Sequence, residues 1–389
     1  MHRLPFACLL ALFAMPSRAF EVRIHPGDFV LAYENVGEGT PRGLATAVIQ
    51  NVAFVNSGSE PVTLEEAWIE ARSGGEVRQR VVIPRSDLER SAQQFAALAQ
   101  MGALELYDFQ FQTRRYLAGL GFAAGRDLAP GQALVVTSRS LLFQGLPDEL
   151  VVTARGRRAG AAVETSTRLA VRLHQSPNQY WLPVKGHWVA AAGPSLHSHH
   201  RWSTIQEFAF DFIRFGADGL THSGDGSKLG QFYAYGQPVS AIGEGVVVAA
   251  VDGLPEADAN LQQPGEAAEA YAQRVMQSQQ VLLAKGFAAI LGNHVIVEHP
   301  GKEFSYYVHL QPGSVAVKPG DRLGRGQLLG KVGHSGNSTE PHLHFHLADG
   351  PDPGTSRSLP VSFANVTLWP SDDGSVRHLH SGQVLTSDP

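Results

Sequence analysis

The residues of this chain best suited to chemistry are His342-Leu343-His344. On a strand, residues two apart face the same side, so this spacing sends two imidazoles into one space. One can hold a metal ion while the other reaches a bound water or a substrate. Taken alone, the spacing suits two solvated strand histidines equally well. The surroundings shift the balance. Gly333-His334-Ser335-Gly336-Asn337-Ser338-Thr339-Glu340-Pro341 precedes the pair, and small turn residues let a backbone approach a site closely. His309 ends another strand-like run, Tyr306-Tyr307-Val308-His309-Leu310. Asp211 is an acid inside Phe208-Ala209-Phe210-Asp211-Phe212, where a carboxylate is costly unless it is paired or holds a metal. Zinc takes three or four nitrogen, oxygen or sulfur ligands and keeps a position open when it is catalytic. The single cysteine, Cys8, lies near the start of the chain, so His and Asp must supply the ligands. His346 extends the row of histidines and is expected at its rim or in a structural role.

Short strands and tight turns must position these residues. The chain is rich in Gly and Pro, 41 and 23 in 389 residues, which favours turns over long helices. In the second half, Gly245-Val246-Val247-Val248, Val295 to His299, Tyr306 to Leu310 and His342 to Leu347 read as strands. Between them Pro264-Gly265-Glu266 opens a helix that runs to about Lys285 and stops at Gly286, within an insertion over about 252–290. Residues 197–370 are expected to form one antiparallel β-sheet domain, with 371–389 as a tail and 176–196 as a linker.

Residues 20–175 read as a β-sandwich-like domain containing one helix. Val48 to Val55 alternates, and Val62-Thr63-Leu64, Ala67-Trp68-Ile69, Leu134-Val135-Val136, Leu150-Val151-Val152 and Leu169-Ala170-Val171 continue the series. Ser86-Asp87-Leu88-Glu89 has the spacing of a capping box, with Leu88, Ala92, Phe95 and Ala99 on one helical face. No catalytic constellation occurs in this half. Residues 1–19 have a basic start, a compact apolar run and small residues before Ala19, the pattern of a secretory signal peptide. The expected mature protein is exported, periplasmic or extracellular, without disulfides or a membrane span. The net charge of −5 and the lack of a basic block argue against a nucleic-acid partner.

Residues 236–347 resemble the lysostaphin/LytM-type zinc endopeptidases. The resemblance rests on Gly-Gln-Pro-Val-Ser-Ala and Gly-Glu-Gly-Val-Val within 236–247, Gly-Asn-His-Val-Ile-Val-Glu-His at 292–299 and Tyr-Val-His-Leu at 307–310. Val-Lys-Pro-Gly-Asp at 317–321, Gly-Gln-Leu-Leu-Gly at 326–330 and Ser-Gly-Asn-Ser-Thr-Glu-Pro-His-Leu-His-Phe at 335–345 complete it. It implies a mostly β fold, a zinc cofactor and hydrolysis of peptide cross-links or stem peptides of bacterial peptidoglycan. It implies His344 and Asp211 as zinc ligands and His309 with His342 as catalytic residues. The family's usual His ligand stands four residues before its Asp, where this chain has Glu207. A branch resembling Gln-x-Phe-Ala-x-Asp-Phe takes that His from the upstream loop. His200 is the first choice here, followed by His199, His197 and Glu207. Adjacent His199 and His200 are not expected to point the same way on an extended segment.

His222 with Asp225 is a rival pair in a Gly-rich loop without strand context. His294 and His299 fit neither H-E-x-x-H nor H-x-x-E-H. His334, His378 and His380 are expected in turns or at the surface. A different class of function is a LytM-like domain without catalysis that binds and activates another wall hydrolase. The presence of Asp211, His309, His342 and His344 favours the enzyme.

Overall fold

The computed structural model describes residues 19–34, 43–369 and 378–387; the leader-like segment and part of the expected tail lie outside them. The described residues form two ten-stranded sheets and a two-stranded pairing of Pro238–Ser240 with Leu328–Lys331. In the first, Phe29–Glu34 pairs antiparallel with Leu44–Asn56 on one side and parallel with Ala161–Leu173 on the other. The sheet turns over at this strand. Its two halves share one core, in which Val22, Val30, Ile49 and Phe54 meet Leu64, Ile69, Leu150 and Val152. This is the expected sandwich-like arrangement.

Leu44–Asn56 departs from simple alternation, because nearly all of it is buried. Ala53 and Val55 on its outer face lie under Phe95, Leu104 and Leu117, so helical segments cover the side that alternation would leave wet. The helix is Arg85–Gln100, and it buries Leu88, Ala92, Phe95 and Ala96. Its capping box does not form: Pro84 stands at the N-cap and no side chain caps the turn. Pro supplies a fixed φ at a place where its missing N–H costs little.

The second sheet is antiparallel and runs Arg322–Leu323, Gly245–Val251, Asn293–His299, Glu303–Leu310, Leu343–Ala348, Phe210–Ile213, Gly186–Ala192, Val384–Ser387, Val366–Trp369. Two of these strands differ from expectation. Gly186–Ala192 falls in the stretch read as a linker, and Val384–Ser387 in the stretch read as a tail. They pair with each other, and Gly186–Ala192 joins Phe210–Ile213. Pairing between distant segments, which leaves no local signature, decides both.

Alternation in the central strands sorts the site from the core. Phe210, Phe212, Leu343, Phe345 and Leu347 enter a shared apolar core. Asp211, His342, His344 and His346 therefore stand on the opposite face. Registers are Phe210 with Phe345, Asp211 with His344, and Val308 with His344. The insertion contributes Ala268–Ala284 and Phe287–Leu291. No helix among the described residues is long and apolar enough to cross a membrane.

The two sheets are tied by specific contacts. Gln50 Nε2 donates to the Arg201 carbonyl at 2.8 Å, Tyr33 hydroxyl to the Leu379 carbonyl at 2.6 Å, and Arg357 to the Phe29 carbonyl at 3.0 Å.

Candidate functional site

Asp211 is the hub of the face of the second sheet opposite the apolar core. Its carboxylate meets three imidazoles: His344 Nδ1 at 3.0 Å and His342 Nε2 at 3.5 Å from Oδ1, and His200 Nε2 at 3.3 Å from Oδ2. Burial works to raise its carboxyl, but His200, His342 and His344 outweigh that and hold it well below the usual carboxylate range.

His200 reaches Asp211 through local structure that the sequence alone conceals. Residues His199–Trp202 form a 3₁₀ turn, with the Ser198 hydroxyl accepting from the His200 N–H. In such a turn adjacent side chains diverge far less than on a strand. His199 and His200 accordingly lie with ring centroids 4.1 Å apart. They and Asp211 offer ligand atoms that all fall within 4.8 Å of one another. The expected divergence of these two side chains is thus corrected, because the segment is not extended. Glu207 turns away: it is buried and faces Arg201 at 3.6 Å. His197 is exposed.

Protons can be assigned from the carbonyl partners. A carbonyl only accepts, so a ring nitrogen bonded to one carries hydrogen. His200 Nδ1 meets the Ala209 carbonyl at 3.2 Å, which leaves Nε2 with a lone pair toward Asp211. Burial pushes the His200 imidazole down to about 3, so a ring proton does not fill this gap near neutral pH. Two acceptors facing each other at 3.3 Å call for a cation between them. Tetrahedral ligands at about 2.0–2.1 Å from zinc stand roughly 3.3–3.4 Å apart. The donor types and the His200–Asp211 separation fit zinc.

His309 reaches the same space through a distorted strand end. The pairing of Asn293–His299 with Glu303–Leu310 shifts register between Asn293 and Val295, and His309 has φ 64°. A β-bulge re-aims a side chain, and left-handed backbone in a non-glycine residue marks a place where packing overrides local preference. His309 Nδ1 donates to the Ser335 carbonyl at 2.8 Å. That carbonyl is delivered by a close backbone crossing: a Cβ on Gly336 would meet Gly292 N and Ile290 O at 2.5 Å. Burial first, then His342 and His344, holds the His309 imidazole well below its ordinary value. His342 Nδ1 donates to the Glu340 carbonyl at 2.7 Å.

These groups line a cavity of about 260 Å³. Its walls include Phe109 from the first sheet's helical segments and Gln279 and Phe287 from the insertion. Phe109 and Phe287 have ring centroids 5.0 Å apart. Both the first half of the chain and the insertion therefore shape the cleft.

Other histidines sort by their partners. His346 is no rim residue; it is buried, lines the cavity and places Nδ1 3.2 Å from His344 Nε2. A period of two already put it on the right face, and that signal could have found it. His334, expected in a turn or at the surface, is fully buried with Nδ1 2.7 Å from the Ser338 hydroxyl. His378 and His380 pack edge-on against Tyr33. His294 and His299 bond the Gly292 and Glu244 carbonyls. His222 lies in a separate polar pocket with Asp225 and Glu340.

Comparison with known proteins adds a family. Over 56 residues the chain is 39% identical to peptidoglycan DD-endopeptidase ShyA of Vibrio cholerae, which covers 14% of this chain and 13% of that one. Over 85 residues it is 46% identical to glycyl-glycine endopeptidase ALE-1 of Staphylococcus capitis, covering 22% of this chain and 23% of that one. The chain thus spans less than a quarter of the length of these curated relatives. The crystal structure of a zinc containing peptidase from Vibrio cholerae aligns with 84% of this chain and 83% of that one, at 12% identity and a TM-score of 0.23. The profile of Peptidase family M23 matches residues 264–354; it takes in His309, His342 and His344, while His200 and Asp211 join them in space from upstream. The chain contains a peptidase family M23 domain.

Proposed function

We propose that the protein is an exported, zinc-dependent endopeptidase that hydrolyses peptide cross-links or stem peptides of bacterial peptidoglycan. The observation that carries this reading is the Asp211 carboxylate ringed by imidazoles, with the lone pair of His200 Nε2 facing it at 3.3 Å. The family domain and the activities named for ShyA and ALE-1 support the substrate class. The leader-like start of the chain supports export to the periplasm or beyond.

In this reading His200, Asp211 and His344 hold the metal. Zinc so held supplies Lewis acidity and lowers the pKa of water. His309 and His342 act beside it. Both have Nδ1 tied to a backbone carbonyl, so each presents Nε2 as a proton acceptor. One accepts a proton from the water that adds to the amide carbon; the other stabilises the developing charge or gives a proton to the amine as the C–N bond breaks. Phe109 and Phe287 narrow the cavity and limit water around the reacting groups.

The test is zinc content of the purified protein, wild type beside His200→Ala, with release of fragments from purified peptidoglycan followed in the same samples. About one zinc per chain with hydrolysis, both lost in the variant, is the expected result. Retention of both in the variant moves that ligand to His199. Absence of both in wild type overturns the reading in favour of a non-catalytic module that activates another wall hydrolase.

A further inference from the structure

His344 uses both ring nitrogens. Nδ1 lies 3.0 Å from Asp211 Oδ1 and Nε2 lies 3.2 Å from His346 Nδ1. A neutral imidazole carries one donor and one acceptor nitrogen, so the side that keeps the proton decides which side can bind a cation. Asp211 marks the metal side. The other side needs an acceptor for the Nε2 proton, and His346 Nδ1 stands there.

We infer that His346 is a positioning residue: its Nδ1 accepts the Nε2 proton of His344 and thereby fixes His344 with Nδ1 free to bind the metal. This rests on the reading of His344 as a metal ligand.

The fold holds His346 for that task. His344 and His346 are two apart on Leu343–Ala348 and so share a face. Tyr306, the register partner of His346 on the neighbouring strand, stacks on its ring at 4.4 Å with planes 16° apart. The Tyr306 hydroxyl donates to the Gly350 carbonyl at 2.8 Å, which anchors the stacking surface. His346 is therefore pinned from one side and aimed at His344 on the other. A histidine that merely filled the core would have no need to direct a nitrogen at another ring. Partners of this kind orient metal-binding histidines and typically change affinity 10–100-fold when lost.

The test uses the full chain and zinc alone. His346→Phe keeps an aromatic surface for Tyr306 and removes the acceptor; His346→Gln restores an acceptor on a different side chain. Zinc affinity is measured by competition with a chelating indicator, and the His344 Nε2 proton by ¹⁵N NMR of the zinc-loaded protein. Expected are about 10–100-fold weaker zinc binding in His346→Phe, recovery of most of that loss in His346→Gln, and a slowly exchanging Nε2 proton in wild type and His346→Gln only. Wild-type affinity in His346→Phe overturns the inference. So does a loss that Gln does not recover, which would make the role one of packing. His346→Leu replaces the Phe variant if that one fails to fold. His344→Ala separates the two levels: wild-type zinc binding there removes His344 as a ligand and the inference falls with it, whereas loss there beside normal binding in His346→Phe removes only the role of His346.

Discussion

His309 and His342 cross at 61° with ring centroids 4.9 Å apart, and both are held with Nδ1 hydrogen-bonded to a backbone carbonyl. The two rings are thus locked in the same tautomer by carbonyls of one loop, Ser335 and Glu340. Neither needs to rotate before it can accept a proton. His200 shares that tautomer, with Nδ1 toward the Ala209 carbonyl, and its Nε2 faces Asp211 at 3.3 Å against 3.5 Å for His342.

Replacement of either ring by Ala should leave zinc bound and reduce peptidoglycan hydrolysis by about 10²–10⁴-fold, the usual span for a lost general acid or base. Zinc per chain and fragment release on the same preparations check this. Loss of zinc in His342→Ala would instead place His342 among the ligands, which its 3.5 Å distance to Asp211 makes the sharper of the two comparisons.

Glu207 should matter for stability and not for metal. It is buried against Arg201, and removal of one member of a buried pair leaves the other charge uncompensated at a cost of about 3–5 kcal/mol. Glu207→Ala is expected to lower the denaturation midpoint accordingly. A histidine at this position faces Arg201 and not the cavity, so Glu207→His should not restore zinc to His200→Ala. Restored zinc in that double variant would show that the backbone here can present residue 207 to Asp211.

Glu303 gives the fold a dependence on acid. It accepts from the hydroxyls of Ser176 and Tyr180 and the amide of Asn178, and His174 Nε2 lies 2.6 Å away. Burial opposes ionisation, but these partners prevail and bring the carboxyl down to about 2. A carboxyl depressed in the folded state adds stability above its unfolded value near 4.3 and loses it as pH falls toward 2. The contribution is on the order of 3 kcal/mol. Urea midpoints of wild type should therefore drop between pH 4.5 and pH 2 more steeply than those of Glu303→Gln. Parallel curves would remove Glu303 as the cause.

Much of the site could be read from sequence because it rides on period-two strands. His342, His344 and Asp211 lie at alternating positions among Phe and Leu, and burial of the apolar set forces the polar set to the other face. His309 was legible from its motif, although the bulge and positive φ that aim it were not. The turn at His199–Trp202 was harder. Its shape depends on Arg201 meeting Glu207 and on Gln50 reaching in from the first sheet, and neither contact has a local sequence mark. The stacking of His346 on Tyr306 of the adjacent strand has no local mark either. The strand at Gly186–Ala192 was hidden for the same reason, since its partner is Val384–Ser387 near the other end of the chain.

The amide of Gln50, donated to the carbonyl of Arg201, has a consequence for how the molecule can be recombined. Among the described residues the first sheet adds no side chain to the ring around Asp211, yet it grips the residue that follows His200. A hybrid that joined residues from 186 onward to a foreign leading half would carry every reactive side chain and lack one anchor of the turn that presents them. Compatibility across that junction, more than identity at the histidines, would govern which hybrids work. Substitutions at position 50 and around residues 199–202 are therefore expected to travel together through a lineage.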